Sequence, residues 1–224
     1  MTPTRASAQP SSARLLTPTT LILAGLAATI MLLIPKPEGR HTFTTEYRPV
    51  LGRRDAPAEI VLFMDYKCPA CRAFERGELP RVQRELLGTG RARLVTLQSP
   101  FIGPDSRTAA RGALCAYQQG NAAFWRMNAA LFARQDDERR PWATVPLLLN
   151  LARAQDLQLG AFQVCLTTLA TDALVQADLD QHRQAGFEGT PAVFVNGVRT
   201  LPSFTAIRAA LPPAASRPAT PTRP

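Results

Sequence analysis

Two cysteines separated by two residues are the side chains best suited to chemistry in this chain. Cys68 and Cys71 enclose Pro69 and Ala70, shortly after the apolar run Glu59–Met64. A helix beginning at the first cysteine would place its sulfur among unpaired backbone N–H groups, which favour the thiolate and lower its pKa from about 8.5. Proline suits the first helical turn because an N–H there has no partner. We expect a redox-active pair, with Cys68 as the nucleophile and Cys71 as the buried resolving thiol.

Two other uses of the pair stay open, half of a zinc site and an inert disulfide. Zinc needs two further ligands at a suitable spacing, and the only histidines, His41 and His182, fall in a linker and on a polar helical segment. We therefore expect neither a metal nor a bound cofactor. Lys67 precedes the motif and should modestly favour the thiolate, so Lys67, Pro69 and Ala70 are the candidates for tuning the redox behaviour.

The elements predicted around the motif are those of an α/β domain. The run Glu59–Met64 predicts a buried strand, and Ala92–Leu97 predicts a second strand. Between them, apolar residues recur at helical spacing until Gly88 and Gly90, with a kink expected at Pro80. Strand, helix and strand in this order predict a parallel crossover unit.

The chain then changes to a helical pattern before it returns to strands. Five segments predict a helical insertion at about residues 104–186: Thr108–Gln118, Ala122–Arg134, Val145–Ala154, Leu159–Thr167 and Thr171–Ala185. Strands follow at Ala192–Val195 and Val198–Thr200, joined by the hairpin signal Asn196-Gly197. A first strand falls near Tyr47–Leu51 and a last helix at Ser203–Ala210, so the domain is predicted over residues 47–211.

A segment near the N-terminus is predicted to meet a membrane. No charged residue interrupts the chain from Leu15 to Pro35, and Leu21–Ile34 is almost entirely apolar. This core has the length of a signal peptide, whereas a spanning helix needs about 20 residues, which is the length reached from Leu15. No small-residue cleavage pair follows the run. We expect a retained anchor at residues 15–35; a cleaved peptide and a buried core helix are the alternatives.

The remaining segments and the charge carry less information. Residues 1–14 and the proline-rich residues 212–224 predict disordered tails, and residues 36–46 predict a linker. The formal net charge is +9, yet arginines are spread along the chain and often stand beside acids. Nucleic-acid binding would require a clustered basic stripe with interleaved aromatics, which is not found. Solvated faces, or attraction to anionic lipid headgroups, explain the charge better.

Four separated stretches resemble the DsbA-like disulfide oxidoreductases, thioredoxin-fold proteins with a helical insertion. The stretches are Leu51-Gly52 with Asp55-Ala56-Pro57, then Phe63–Cys71, then Ala113–Ala116 with Gln119-Gly120 and Phe124-Trp125, and finally Gly189–Gly197. Together they cover most of residues 50–200, although the middle stretch alone would be weak. The resemblance implies a thioredoxin-like fold with an inserted helical subdomain, and an enzyme that exchanges thiols and disulfides.

The resemblance also implies roles for residues outside the motif. Pro191 would be a cis-proline lying against the Cys68 sulfur, so that the backbone of Thr190 turns outward and pairs with an extended substrate segment. Some relatives have a cysteine pair at positions similar to Cys115 and Cys165. With an even cysteine count and an oxidising compartment, we expect a structural disulfide there. Two core thiols or a second catalytic pair are the alternatives.

Two departures from the family pattern leave the redox potential open. Many relatives carry a buried acid six residues before the first cysteine, which shuttles the proton of the resolving thiol, and this chain has Leu62 there. Strong oxidants of the family often have histidine within the dipeptide, where this chain has Ala70. Because Leu62 replaces the acid, proton transfer to and from Cys71 must use water or another group. Asp65 is either a replacement acid or a polar cap on the following turn.

These inferences together predict a membrane-tethered protein thiol-disulfide oxidoreductase that introduces disulfides into exported proteins with free thiols. By family analogy, a quinone-linked membrane protein would reoxidise it. A disulfide catalyst belongs on the oxidising side of the membrane, so the domain should be extracytoplasmic, periplasmic or on the cell surface, and the N-terminal tail cytoplasmic. The alternatives are a reductase or isomerase supplied with electrons across the membrane, and a non-catalytic metal chaperone, although the motif lacks the nearby Met or His ligands that copper favours.

Overall fold

A five-stranded mixed sheet forms the centre of residues 39–213, the part of the chain that the computed structural model describes. The strands are β1 (Val50–Leu51), β2 (Glu59–Met64), β3 (Arg93–Gln98), β4 (Ala192–Val195) and β5 (Val198–Thr200). Their order in the sheet is β1-β3-β2-β4-β5. The β2–β3 pair is parallel, as the predicted crossover requires, and the other three pairs are antiparallel.

The continuous apolar run of β2 reflects burial on both faces of the sheet. Ile60, Leu62 and Met64 join the larger core beneath the helices, whereas Val61 and Phe63 point into a second core. Because alternate residues of a strand face opposite sides, a strand covered on both sides needs no polar positions. The sheet is thus the middle layer between two apolar layers.

The helical path that follows Cys68 is a single run with changes of winding. It consists of α1 (Pro69–Ala73), a π-helical turn (Phe74–Glu78), α2 (Leu79–Val82) and a second π-helical turn (Gln83–Leu87). Pro80 lies in the first turn of α2, directly after a π-helical turn, where its missing N–H is tolerated. At Pro80, where a kink is expected, the helical run continues with a π-helical turn on either side of α2.

The predicted helical insertion is present as five helices between β3 and β4. They are α3 (Pro104–Tyr117), α4 (Asn121–Arg134), α5 (Val145–Arg153), α6 (Leu159–Thr167) and α7 (Leu169–Gln184), and α8 (Phe204–Ala210) follows β5. The start of α3 was predicted four residues too late. Pro104 occupies its first turn, and the Ser106 side chain accepts a hydrogen bond from the N–H of Gly103. The residues that start helix α3 thus lie before its apolar periodicity begins.

The domain begins earlier than the predicted boundary at residue 47. The N–H of His41 donates to the carbonyl of Gly197, and the Phe43 ring packs edge-on against Phe63 and Phe194. Part of the segment predicted as a linker at residues 36–46 therefore completes the second core. Partly burying the Phe43 ring removes apolar surface from water, which favours packing of this segment against the domain.

The predicted membrane segment at residues 15–35 and the predicted tail at residues 1–14 lie outside the described residues. The same holds for residues 214–224 of the predicted C-terminal tail. Within residues 39–213, no helix is both long and apolar enough to cross a membrane.

The remaining two cysteines join two helices of the insertion. Cys115 of α3 and Cys165 of α6 form a disulfide with a Cα–Cα distance of 5.6 Å and a sequence separation of 50 residues. Both residues are buried. The two residues are therefore bonded to each other and are not two separate core thiols.

Replacing both Cys115 and Cys165 by serine should destabilise the domain. The disulfide closes a loop of 50 residues, and the chain-entropy relation gives a loss of up to about 4 kcal/mol for a loop of that size. Urea unfolding of the oxidised variant and wild-type proteins would measure the difference. Two alkylatable thiols at these positions in air-oxidised native protein would contradict the prediction.

Candidate active site

The cysteine pair lies where β2 passes into the active-site helix. Cys68 is the N-cap residue, with extended backbone angles, and its sulfur accepts a hydrogen bond from the N–H of Cys71 at 3.4 Å. Pro69 occupies the first helical position, and Pro69 and Ala70 are exposed. The first cysteine therefore stands at the helix N-terminus, where the sequence pattern placed it.

Asp65 holds the turn that carries Cys68. Its carboxylate is buried and accepts hydrogen bonds from the N–H groups of Lys67 at 2.8 Å, Phe101 at 3.0 Å and Ile102 at 3.1 Å. Its carbonyl accepts from the N–H of Cys68 at 3.0 Å. Burial raises the pKa of Asp65, and these hydrogen bonds oppose the rise. Of the two roles considered for Asp65, the contacts are those of a cap that ties the turn to the loop after β3.

Thr190 and Pro191 lie against Cys68, as the resemblance implied. The Sγ of Cys68 is 3.0 Å from the carbonyl oxygen of Thr190, to which the thiol can donate, and the Thr190–Pro191 peptide bond is cis. The contact joins residues 122 positions apart. It brings the backbone that precedes β4 to the reacting sulfur.

The pKa values of the two thiols are shifted in opposite directions. The pKa of Cys68 is lowered to about 6, chiefly because the Cys71 thiol donates a hydrogen bond to its sulfur. Burial opposes this effect, while the backbone N–H groups of Cys71 and Ala70 support it. Burial, and then the neighbouring Cys68, raise the pKa of Cys71 well above its ordinary value. At neutral pH the reduced pair therefore combines a Cys68 thiolate with a protonated Cys71.

Lys67, which we expect to favour the Cys68 thiolate, is held in an ion pair with a residue of the helical insertion. Its ammonium is buried and forms an ion pair of 2.7 Å with Asp105 at the start of α3, and it also donates to the carbonyl of Arg140. The other oxygen of Asp105 accepts from the N–H groups of Trp142 and Ala143. The contacts of Lys67 thus join the active-site turn to the helical insertion.

Gln135 is a contact residue of the site that the sequence did not indicate. It follows α4, and its side-chain amide donates to the carbonyls of Tyr66 at 2.6 Å and Cys68 at 2.9 Å. The guanidinium of Arg72 in turn donates to the carbonyl of Gln135. A single glutamine after a helix has no sequence signature, so only the packing of α4 against the turn reveals it.

A group of buried polar side chains, also missed from the sequence, lies on the helical side of the sheet. The hydroxyl of Tyr66 donates to Asn128 at 3.0 Å, and the amide of Asn128 donates to Glu75 at 2.8 Å. Burial raises the pKa of Glu75, which follows Cys71 by four residues. Leu62, at the position where relatives carry an acid, is itself part of the apolar core.

No group of three or more potential metal-ligating side chains occurs within residues 39–213. His182 is not on a solvated polar face, as its helix suggested. It is buried, its ring contacts the hydroxyl of Ser99, and it packs against Phe187 and Phe101. Burial lowers the pKa of this histidine.

Comparison with known proteins identifies the family. The thioredoxin family model matches residues 44–211. A probable disulfide bond formation protein D of Bacillus anthracis is 30% identical over 193 residues, covering 85% of this chain and 89% of the relative. The chain belongs to the DsbA-like thiol-disulfide oxidoreductases.

Solved structures agree with this assignment. Oxidised BdbD from Bacillus subtilis is 26% identical with a TM-score of 0.69, and the match covers 77% of this chain and 94% of that one. DsbA of Chlamydia trachomatis is 22% identical with a TM-score of 0.66, over 78% and 94% of the two chains, and it supports the fold alone. The predicted thioredoxin-like fold with a helical insertion and the predicted enzyme class are therefore confirmed.

A pH titration of the Cys68 thiolate tests the hydrogen bonds assigned to its sulfur. The ultraviolet absorbance of the thiolate in the reduced protein should rise with a midpoint at about pH 6. Cys71→Ala removes the thiol donor, so its midpoint should move up towards the ordinary value for a cysteine. Cys71→Ser retains a donor and serves as the matched control, with a midpoint between the two. Equal midpoints in all three proteins would show that the Cys71 side chain does not stabilise the thiolate.

Proposed function

We propose that this enzyme introduces disulfides into exported proteins through Cys68 and Cys71. The observation that carries the proposal is the position of Cys68, whose sulfur caps the active-site helix and lies 3.0 Å from the Thr190 carbonyl. A substrate thiolate attacks the Cys68 sulfur of the Cys68–Cys71 disulfide, and Cys71 leaves and takes up a proton. A second substrate thiolate then attacks the mixed disulfide and releases Cys68 as a thiolate. Two electrons pass from the substrate dithiol to the enzyme.

The direction of exchange follows from the stability of the Cys68 thiolate. A low pKa makes Cys68 a good leaving group, and stabilising the thiolate stabilises the reduced enzyme. An enzyme that is more stable when reduced is a better oxidant of its substrates. Oxidation is therefore favoured over the rival reductase or isomerase activity. A reduction potential of the Cys68–Cys71 pair as low as that of thioredoxin, about −270 mV, would reverse this choice.

Substrate binding is proposed at the backbone of Thr190 beside Pro191. Neither the disulfide nor the thiolate form of Cys68 carries a proton, so in both forms its sulfur cannot donate to the Thr190 carbonyl. That carbonyl can then accept an N–H from an extended substrate segment, as in the addition of a strand. Recognition through main-chain hydrogen bonds suits an enzyme that acts on many unfolded proteins.

The cellular arrangement proposed here rests on the sequence at residues 15–35. A retained anchor there would hold the domain on the extracytoplasmic side of the cell membrane, with the N-terminal tail in the cytoplasm. The anchor would also bring the enzyme close to a membrane partner that passes electrons from Cys68 and Cys71 to a quinone. Periplasmic and cell-surface locations both satisfy this arrangement.

Roles of the two sulfurs can be separated by substitution. Cys68→Ser should abolish oxidation of a dithiol peptide, because no accessible disulfide sulfur remains. Cys71→Ser should also stop turnover, yet it should accumulate a mixed disulfide with an activated substrate, because the resolving thiol is absent. Mass spectrometry of the trapped adduct would identify the sulfur. The double serine variant at Cys115 and Cys165 is the control and should keep its activity. A mixed disulfide that accumulates on Cys71 of the Cys68→Ser protein would reverse the assignment.

Membrane attachment can be tested on the full-length chain. Because no cleavage pair follows the apolar run, the protein should fractionate with membranes and retain its N-terminal sequence. Detergent, but not high salt, should release it if the attachment is a spanning helix. Soluble mature protein beginning near Pro35 would instead show that the segment is removed.

A further inference from the structure

Cys71 must gain and lose a proton in each catalytic cycle, although its thiol is buried. When the Cys68–Cys71 disulfide opens, the Cys71 sulfur leaves as a thiolate, and burial raises the pKa of its thiol well above the ordinary value. Only 2% of the residue is exposed, so bulk water has little access to the sulfur. A group inside the domain is therefore better placed than solvent to exchange this proton.

Among the carboxyl groups already described around the cysteine motif, Glu75 alone has an oxygen available for a proton. Asp65 accepts three backbone N–H groups. Asp105 is engaged by Lys67 and by two backbone N–H groups. Glu75 accepts one hydrogen bond, from Asn128 to its Oε1 atom, whereas its Oε2 atom is buried and has no hydrogen-bond partner within residues 39–213.

Glu75 and Cys71 lie one turn apart on the active-site helix. Side chains separated by four residues are neighbours on a helix, with Cβ atoms about 5–6 Å apart. The two groups also share a neighbour in Tyr66, whose hydroxyl donates to Asn128, which in turn donates to Glu75. Burial raises the pKa of the Tyr66 phenol, and the charges of Glu75 and Cys71 raise it further. The phenol is therefore close to both groups.

No positive charge fixes Glu75 in its ionised form. Arg72 and Arg76, on the same helical run, donate to backbone carbonyls at the end of α4 and just after it. The groups that face Glu75 from the turn and from α4 are the neutral side chains of Tyr66 and Asn128. Burial raises the pKa of Glu75, and the bond from Asn128 opposes the rise. Such a carboxyl group is protonated more readily than one paired with an arginine.

We propose that Glu75 exchanges the proton of Cys71 when the catalytic disulfide forms or opens. As the disulfide forms, the Cys71 thiol gives its proton to Oε2 of Glu75 across one helical turn, a gap that one water molecule bridges. The Cys71 thiolate then attacks the Cys68 sulfur of a mixed disulfide, and the other sulfur leaves as a thiolate. As the disulfide opens, the departing Cys71 thiolate takes the proton back from Glu75.

Asn128 is a positioning residue in this scheme, because its amide holds the Glu75 carboxyl group beside the active-site helix. The inference deepens the proposed function and rests on the redox use of Cys68 and Cys71. The proton exchange is the same whether the enzyme oxidises or reduces its substrates. Glu75 thereby supplies the acid that is missing at Leu62.

The test reacts the reduced full-length protein with the aromatic disulfide dithiobis(nitrobenzoate), which releases a coloured thiolate. Attack by Cys68 releases the first thiolate and leaves a mixed disulfide on Cys68. Attack by Cys71 on that mixed disulfide releases the second thiolate and closes the Cys68–Cys71 disulfide. The two phases of colour release therefore report the two sulfurs separately in one experiment.

Glu75→Gln should leave the first phase unchanged and slow the second phase about 100-fold at neutral pH, the lower end of the range for general-base catalysis. In the wild-type protein, the rate of the second phase should be independent of pH above the pKa of Glu75 and should fall below it. In Glu75→Gln, hydroxide must deprotonate Cys71, so this rate should rise about tenfold per pH unit.

Two further variants serve as controls for Glu75→Gln. Glu75→Asp keeps a carboxyl group and should recover part of the second-phase rate. Glu85→Gln removes an exposed carboxyl group that pairs with Arg81 further along the same helical run, and both phases should keep their wild-type rates.

Equal second-phase rates in the wild-type and Glu75→Gln proteins would overturn the proposal, and so would equal slowing of both phases. A wild-type rate that rises about tenfold per pH unit through neutrality would also overturn it, and this profile needs no variant to fold. Release of only one thiolate by the wild-type protein would contradict the proposed function as well. Release of two thiolates at equal rates in both proteins would exclude Glu75 and leave that function standing.

Discussion

The turn between β2 and the active-site helix must hold a reactive sulfur at a helix N-terminus while burying the polar groups of its own residues. Asp65 and Lys67 are both almost fully buried. An unpaired charge in such a place would be strongly unfavourable, so each needs partners in a defined geometry. The Asp65 carboxylate accepts hydrogen bonds from backbone N–H groups on both sides of the turn, and Lys67 forms an ion pair with Asp105. The position of Cys68 depends on these bonds.

The helical insertion supplies many of the partners that this turn requires. Asp105 comes from the first turn of α3, and Gln135 from the residue after α4. The Cys115–Cys165 disulfide connects α3 to α6, so the helix carrying Asp105 is itself held within the insertion. The insertion therefore supports the active-site turn, and its unfolding would remove the contacts to Lys67 and to the carbonyl of Cys68.

The different surroundings of the two sulfurs give them different acidities. Cys71 points into the core and stays protonated, which lets its thiol stabilise the thiolate of Cys68. Leu62 occupies the position of the acid that accepts this proton in relatives, so the proton of Cys71 needs another acceptor. Glu75, buried and linked to Tyr66 through Asn128, is the carboxyl group on the same helix one turn further on. Burial raises its pKa above the ordinary value for a glutamate.

Local sequence patterns determined the secondary-structure elements of this protein and the position of its reactive pair. The two-residue spacing of the cysteines, the apolar run of β2 and the helical periodicity of the insertion predicted the elements and the reactive pair, because periodicity and turn residues act over a few neighbouring positions. Only the tertiary structure decided which residues surround the pair. Lys67 meets Asp105 at a separation of 38 residues, Gln135 meets Cys68 at 67, and Cys68 meets Thr190 at 122. Such contacts depend on how whole helices pack, and a single polar residue carries no local signal of its distant partner.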